Sequence, residues 1–189
     1  MRYLRTRRDG STPLTLLPMA NAGRSRGSKL IEVRASSIHG RGVFALADIA
    51  KGTRISEYRG ERITRDEADR RYDDDAMEHA HTFLFTLDDN TLVDGSRKGN
   101  DVRFVNHSCA PNCISVIEDE RIFIDAITNI PTGGELTYDY RLIRPGRYNK
   151  AWDALYACLC GASTCRGTML LRRRRKSAAK PTKPVVPVE

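Results

Sequence analysis

From residue 29 onward the chain alternates short apolar runs with turn residues, and few runs are long enough to be helices. Strand-like segments fall at Lys29–Arg34, Val43–Leu46 and Arg54–Tyr58, each four to six residues bounded by polar or glycine positions. Thr64-Arg65-Asp66-Glu67 has the form of a capping box. It predicts a helix to about Tyr72 with Ala68 and Tyr72 on one face. His81–Leu87 and Thr91–Val93 read as a hairpin around Asp88-Asp89-Asn90, and Ile114–Ile117 with Arg121–Ile124 as another across Glu118-Asp119-Glu120. A last strand-like run, Glu135–Tyr140, follows Gly133-Gly134, and Arg147–Ala157 carries a helical pattern around the single tryptophan, Trp152. There is no alternating βαβ rhythm, so the expected fold is mostly β: several small twisted sheets with short helices.

One stretch stands apart from this pattern. Arg103-Phe-Val-Asn-His-Ser-Cys-Ala-Pro-Asn-Cys113 crowds an amide, an imidazole, a hydroxyl and two thiols between strand-like runs. Asn106, Pro111 and Asn112 break regular structure, which predicts a loop held by something other than its own ladder. Chemistry-bearing side chains crowded on a loop serve a ligand, a metal or a hydrogen-bond network. Ahead of it, Gly40-Arg41-Gly42 lies between two strand candidates and by itself says no more than a tight turn.

Composition adds little to the chemistry. Hydrophobic residues make up 40% and charged residues 30%, as in an ordinary globular domain, and no apolar run approaches the roughly 20 residues of a membrane span. The net charge of +8 is concentrated at the ends, with six arginines and one aspartate in residues 1–28 and an unbroken cationic run Arg172–Lys176. Pro13 and Pro18 interrupt the short apolar stretch near the N-terminus, so residues 1–28 read as a disordered basic tail rather than a signal peptide. Residues 172–189 read as a second disordered tail. Such tails either bind polyanions, nucleic acid included, through counterion release or merely solubilise the chain. Asp73-Asp74-Asp75 is in the same way a solvated patch or an attractor of basic peptides.

The five cysteines stand at 109, 113, 158, 160 and 165. Their odd count and uneven spacing argue against a disulfide framework. Cys158, Cys160 and Cys165 sit within eight residues beside a glycine, a shape that suits a wrapped metal ion. Zinc takes four thiolates tetrahedrally, so the trio wants one more donor, and Cys109 and Cys113 are both candidates.

Five motifs in order then carry a resemblance. They are Gly40-Arg-Gly-Val-Phe-Ala45, Tyr58-Arg-Gly-Glu61, Arg103–Cys113, Glu135-Leu-Thr-Tyr-Asp-Tyr140, and Cys158-x-Cys160-x4-Cys165 followed by Arg166-Gly167. Over about residues 29–168 the chain resembles a SET-domain protein lysine methyltransferase with a post-SET zinc-binding segment. The resemblance implies a β-clip-like fold with pseudoknot-like threading of the 103–113 and 135–140 segments, a SET domain at 29–143 and a C-terminal zinc staple at 144–171. It implies S-adenosylmethionine as methyl donor, with Gly40, Arg41, Gly42, Arg103, Asn106 and His107 on the cofactor side. Tyr140 and Tyr138 are the implied catalytic residues, Tyr140 orienting the lysine amine and Tyr138 influencing how many methyls are added. Cys109 is the implied fourth zinc ligand beside Cys158, Cys160 and Cys165, leaving Cys113 as a small buried residue.

The implied partner is a lysine-containing tail of a histone or histone-like protein, with mono- or dimethylation favoured and no membrane. The implied setting is intracellular: the nucleus and chromosome in a eukaryotic cell, otherwise the cytoplasm or nucleoid. Two features depart from the family pattern. Phe83 stands where relatives often carry a channel tyrosine, and Gly134 replaces the first acid of a Glu-Glu-Leu. A non-catalytic chromatin or nucleic-acid-binding module, and a methyltransferase of a non-histone protein, are the competing readings.

Overall fold

The computed structural model of the chain describes residues 30–72, 82–143 and 150–171. Both expected tails, the Asp73–Asp75 patch, His81 and the start of the Arg147–Ala157 helix lie outside the described residues. The described residues form ten strands, two short helices and a 3-10 turn. The strands are β1 (Ile31–Ala35), β2 (Arg41–Ala45), β3 (Arg54–Tyr58), β4 (Glu61–Thr64), β5 (Leu84–Thr86), β6 (Thr91–Asp94), β7 (Asn106–His107), β8 (Cys113–Glu118), β9 (Arg121–Ala126) and β10 (Glu135–Tyr138). The helices are α1 (Arg65–Arg71) and α2 (Lys150–Leu155), and Asp101–Phe104 makes the 3-10 turn. Three small sheets result, ordered β1-β2-β10-β7, β3-β9-β8 and β4-β6-β5, which is the mostly-β architecture expected.

Local chemistry explains most boundaries. Thr64 caps α1, its hydroxyl accepting the Glu67 N–H at 3.2 Å. The Glu67 carboxylate turns to Arg70 and Arg71, so the cap is made through the Thr64 side chain. Ala68 is fully buried, with Tyr72 packed against it. The β8–β9 hairpin turns on two residues, Asp119 and Glu120, both left-handed with φ of 48° and 54°, the backbone that tight hairpins require. Glu118, expected in the turn, pairs instead with Arg121 inside the ladder. β5 is shorter than the expected strand, although the Phe83 carbonyl still accepts the Gly95 N–H in the register of the ladder and takes the Tyr58 hydroxyl as well. β4 was not expected, since its four residues offer one buried side chain, Ile63.

β10 ties the sheets together. It runs antiparallel to β2, with Leu136 opposite Val43, and parallel to β7, with Thr137 opposite Asn106 and Tyr138 opposite His107. The Asn112 side chain completes this strand's edge. Its amide donates to the Glu135 carbonyl and accepts the Thr137 N–H, both at 2.8 Å. The segment expected to be an irregular loop is thus laced to β10, and Asn106 lies in a short strand rather than breaking one.

The C-terminal segment belongs to the same core. Leu170 bridges in parallel to Leu142, and Ala157 pairs antiparallel with Thr168. Leu142, Tyr156, Met169 and Leu170 join one buried cluster with Val43, Val105, Leu136 and Tyr138. Because Leu170 is fully buried, Leu170→Ala is expected to cost about 2–5 kcal/mol, read as a lowered urea midpoint. An unchanged midpoint would mean that the segment is an appendage to the core.

Candidate active site and metal centre

The turn between β1 and β2 builds one wall of a cleft. Gly40 adopts φ of 47°, a left-handed backbone that glycine takes without strain. At Gly42 a Cβ would run into the Glu135 carboxylate and stand 2.9 Å from the Ser36 Cβ. The empty space at Gly42 lets Glu135 lie across β2, accepting from the Ser36 hydroxyl at 2.8 Å and the Asn106 amide at 2.8 Å. The same Asn106 Nδ2 faces the His39 and Arg41 carbonyls at 3.3 and 3.0 Å. Three acceptors therefore converge around one buried amide.

Beside it lies a cleft of about 210 Å³, lined by Ile38, His39, Asn106, His107 and Tyr140 on one side. Leu155, Ala157, Cys158, Leu159 and Met169 form the opposing wall. Leu159 remains 65% exposed, an apolar side chain at the rim. Tyr140 donates its hydroxyl to the Val105 carbonyl at 2.9 Å, and its N–H donates to His107 Nδ1 at 3.1 Å. Burial holds His107 neutral, pulling its pKa down to about 4, and pushes the Tyr140 phenol above its ordinary value. Behind Tyr140 the rings of Tyr138, Phe85 and Tyr58 follow at centroid spacings of 5.1, 6.1 and 5.2 Å. Burial also raises the Tyr138 phenol well above its usual range.

The remaining expected residues divide. Arg41 lays its guanidinium over Phe104 at 3.8 Å. Arg103 lies over the Phe104 ring at 4.6 Å and donates to the Gly95 carbonyl. Phe83 meets Phe104 edge-on at 5.4 Å.

Four of the five cysteines gather at one place. The sulfurs of Cys109, Cys158, Cys160 and Cys165 all lie within 4.8 Å of one another and could hold a metal ion. Backbone N–H groups of Cys109, Arg166 and Gly167 point at the Cys160, Cys109 and Cys165 sulfurs at 3.5, 3.3 and 3.3 Å, an outer shell suited to thiolates. Cys113 is excluded from the cluster: it is buried in the main core, where burial pushes its thiol up to about 12.

Residues 40–141 match the family model described as SET domain. The chain belongs to the SET domain family. Relatives include proteins named histone-lysine N-methyltransferase, H3 lysine-4 specific, from Schizosaccharomyces pombe (43% identical over 78% of this chain) and Saccharomyces cerevisiae (38% over 76%). The Drosophila melanogaster histone-lysine N-methyltransferase trithorax is 38% identical over 72%. The chain spans 16%, 13% and 4% of the length of these three relatives.

In and beside the SET domain, several residues that support the cleft carried no role in the sequence reading. Glu135, itself gripped by the Ser36 hydroxyl, holds the Asn106 amide, Asn112 stitches β10, and Asp139 takes both guanidinium nitrogens of Arg166 at 2.8 Å. Motif membership was the signal for Glu135, Asn112 and Asp139, and Ser36 had none; their roles depend on partners 23 to 99 residues away. Asn112→Ala leaves a carbonyl and an N–H of the SET-domain strand β10 without partners, at a cost of about 2–4 kcal/mol. Denaturant unfolding should show this loss, and Asn112→Asp, which cannot donate to the Glu135 carbonyl, should recover little of it.

Proposed function

We propose that this chain is an S-adenosylmethionine-dependent protein-lysine N-methyltransferase that acts on the basic tail of a histone or histone-like protein. The observation that carries the reading is the cleft in which Asn106, His107 and Tyr140 meet the cysteine-bearing segment. Its relatives' names supply the substrate class, and with it a chromosomal setting.

S-adenosylmethionine, when bound, supplies a methyl group made electrophilic by its sulfonium. The acceptors gathered at Asn106 (the His39 and Arg41 carbonyls and the Glu135 carboxylate) suit the ammonium of its amino-acid end. The backbone beside Gly40 and Gly42 and the wall of His107, Leu155 and Leu159 would flank the remainder. Arg41 and Arg103 would support this side through Phe104.

Methyl transfer needs an uncharged lysine amine. In water on the order of one lysine in a thousand is neutral at pH 7, and an apolar channel favours that form. Tyr140 already donates its proton to Val105, so its oxygen lone pairs are left to accept from the amine and aim it. Its raised pKa keeps it a phenol, which fits an orienting role rather than that of a base. Tyr138, on the same face and in ring contact, crowds the space a methylated nitrogen would enter and favours mono- or dimethylation.

The cysteine cluster would hold zinc. A tetrahedral site with Zn–S of 2.3 Å puts its sulfurs about 3.8 Å apart, and Cys109 lies 3.7 Å from Cys158 and 3.9 Å from Cys165. Metal analysis is expected to find one zinc per chain, and chelation to lower methyl transfer while the β-sheet core stays folded. Protein purified without metal would refute this part.

Labelled S-adenosylmethionine with core histones tests the whole reading. Wild-type protein should transfer label, with Tyr140→Phe reduced roughly 100-fold or more. Mass spectrometry should show Tyr138→Phe moving product toward higher methylation. No transfer above the Tyr140→Phe control would leave a non-catalytic SET module, and transfer to other proteins alone would move the substrate away from histones.

A further inference from the structure

We propose that Asp139 and Arg166 are positioning residues that carry the state of the cysteine cluster to the Tyr140 hydroxyl. The inference rests on the methyltransferase reading and deepens it.

Asp139 stands between Tyr138 and Tyr140, and successive side chains of extended backbone face opposite ways. Its carboxylate therefore turns from the two rings toward the C-terminal segment, where Arg166 meets it. Arg166 Nη1 reaches Oδ2 and Nη2 reaches Oδ1, each at 2.8 Å, and both side chains are largely removed from solvent. A two-point fork fixes orientation as well as distance, which a lone ammonium does not.

The backbone of Arg166 faces the cluster. Its N–H donates to Cys109 Sγ at 3.3 Å, so one residue grips a ligand sulfur with its main chain and Asp139 with its side chain. His107 completes the circuit. Its Nε2 lies 3.4 Å from Cys109 Sγ, its Nδ1 accepts the Tyr140 N–H at 3.1 Å, and Asp139 Oδ1 is 3.6 Å from the same Nδ1. Asp139 Oδ1 also accepts the Arg141 N–H at 3.1 Å, where the chain turns at a left-handed residue of φ 52°. Tyr140 is thereby held from the backbone side by His107 and by the Asp139 turn, while its hydroxyl rests on Val105. Cys109, His107, Tyr140, Asp139 and Arg166 form a closed ring of contacts. Distortion of the cluster moves Arg166, releases Asp139 and lets the phenol leave its place.

The experiment uses the full zinc-loaded chain and the variants Asp139→Asn, Arg166→Lys, Arg166→Ala and the double variant Asp139→Asn/Arg166→Ala. Three quantities are read: thermal unfolding, metal release to a chromophoric chelator, and steady-state kinetics on a histone-tail peptide. Each single variant should lose on the order of 10- to 100-fold in kcat, with KM for the peptide within about threefold of wild type. Arg166→Lys should resemble Arg166→Ala, since it keeps the charge and loses the fork. The double variant should match the worse single one rather than multiply the two losses. Metal release should quicken about tenfold or more even in Asp139→Asn, whose carboxylate reaches the cluster through Arg166.

If Arg166→Ala fails to fold, Asp139→Asn, which exchanges one oxygen for an amide nitrogen, carries the same comparison with Arg166→Lys. Active wild type with unchanged kcat in the variants, multiplicative losses in the double variant, or unchanged metal release in Asp139→Asn would overturn the inference. Inactive wild type would instead sink the methyltransferase reading; faster metal release from the variants would still separate the two failures.

Discussion

A single short strand has to satisfy neighbours that run in opposite directions. β10 pairs antiparallel with β2 through its first residues and parallel with β7 through its last. Parallel neighbours need a long connection, and here it returns through Ser108–Asn112 so that the Asn112 amide occupies the stretch of edge that β7 leaves open. Backbone groups buried without partners are costly, so the lacing is obligatory once β10 is covered. It is also why Tyr140 shares one wall of the cleft with Asn106 and His107, more than thirty residues earlier in the chain.

The same constraint decides what could be read from the sequence. Short-range signals were legible: the Thr64 cap, the hairpins β5–β6 and β8–β9, and the extent of β3. The trio Cys158, Cys160 and Cys165 was legible from spacing, but the choice of Cys109 over Cys113 and the cleft residues came only through motif resemblance, because periodicity places Tyr140 on a strand without saying what it faces. Roles fixed by distant partners were not legible. Asn112 looks like a breaker until β10 is beside it, and Arg166 looks like a surface cation until Asp139 arrives. β4 escaped notice for a different reason, since a peripheral strand with one buried residue leaves almost no pattern.

Among the described residues, charge is prominent on the faces of the small sheets. Arg54 forks onto Asp125 and reaches Glu118, while Arg121 holds Glu57 across the ladder. Both guanidinium groups lie over Phe123, at 4.1 and 5.0 Å, covering the outward aromatic of β9. Exposed pairs of this kind add little stability singly, yet they roof apolar surface with planar cations and keep the sheet face from seeking another sheet. The cleft is the contrasting environment, with neutral imidazole, neutral phenols and carbonyls turned inward.

Burial of Leu170 against Leu142 sets a timetable for the protein's birth on the ribosome. Residues 31–142 emerge first and can assemble their ladders, but the hydrophobic surface beside Leu142 stays wet until Leu170 clears the exit tunnel. Until then the nascent chain carries an unsealed patch of its interior beside Leu142, and the wall of the cleft that the segment supplies through Met169 is not yet in place.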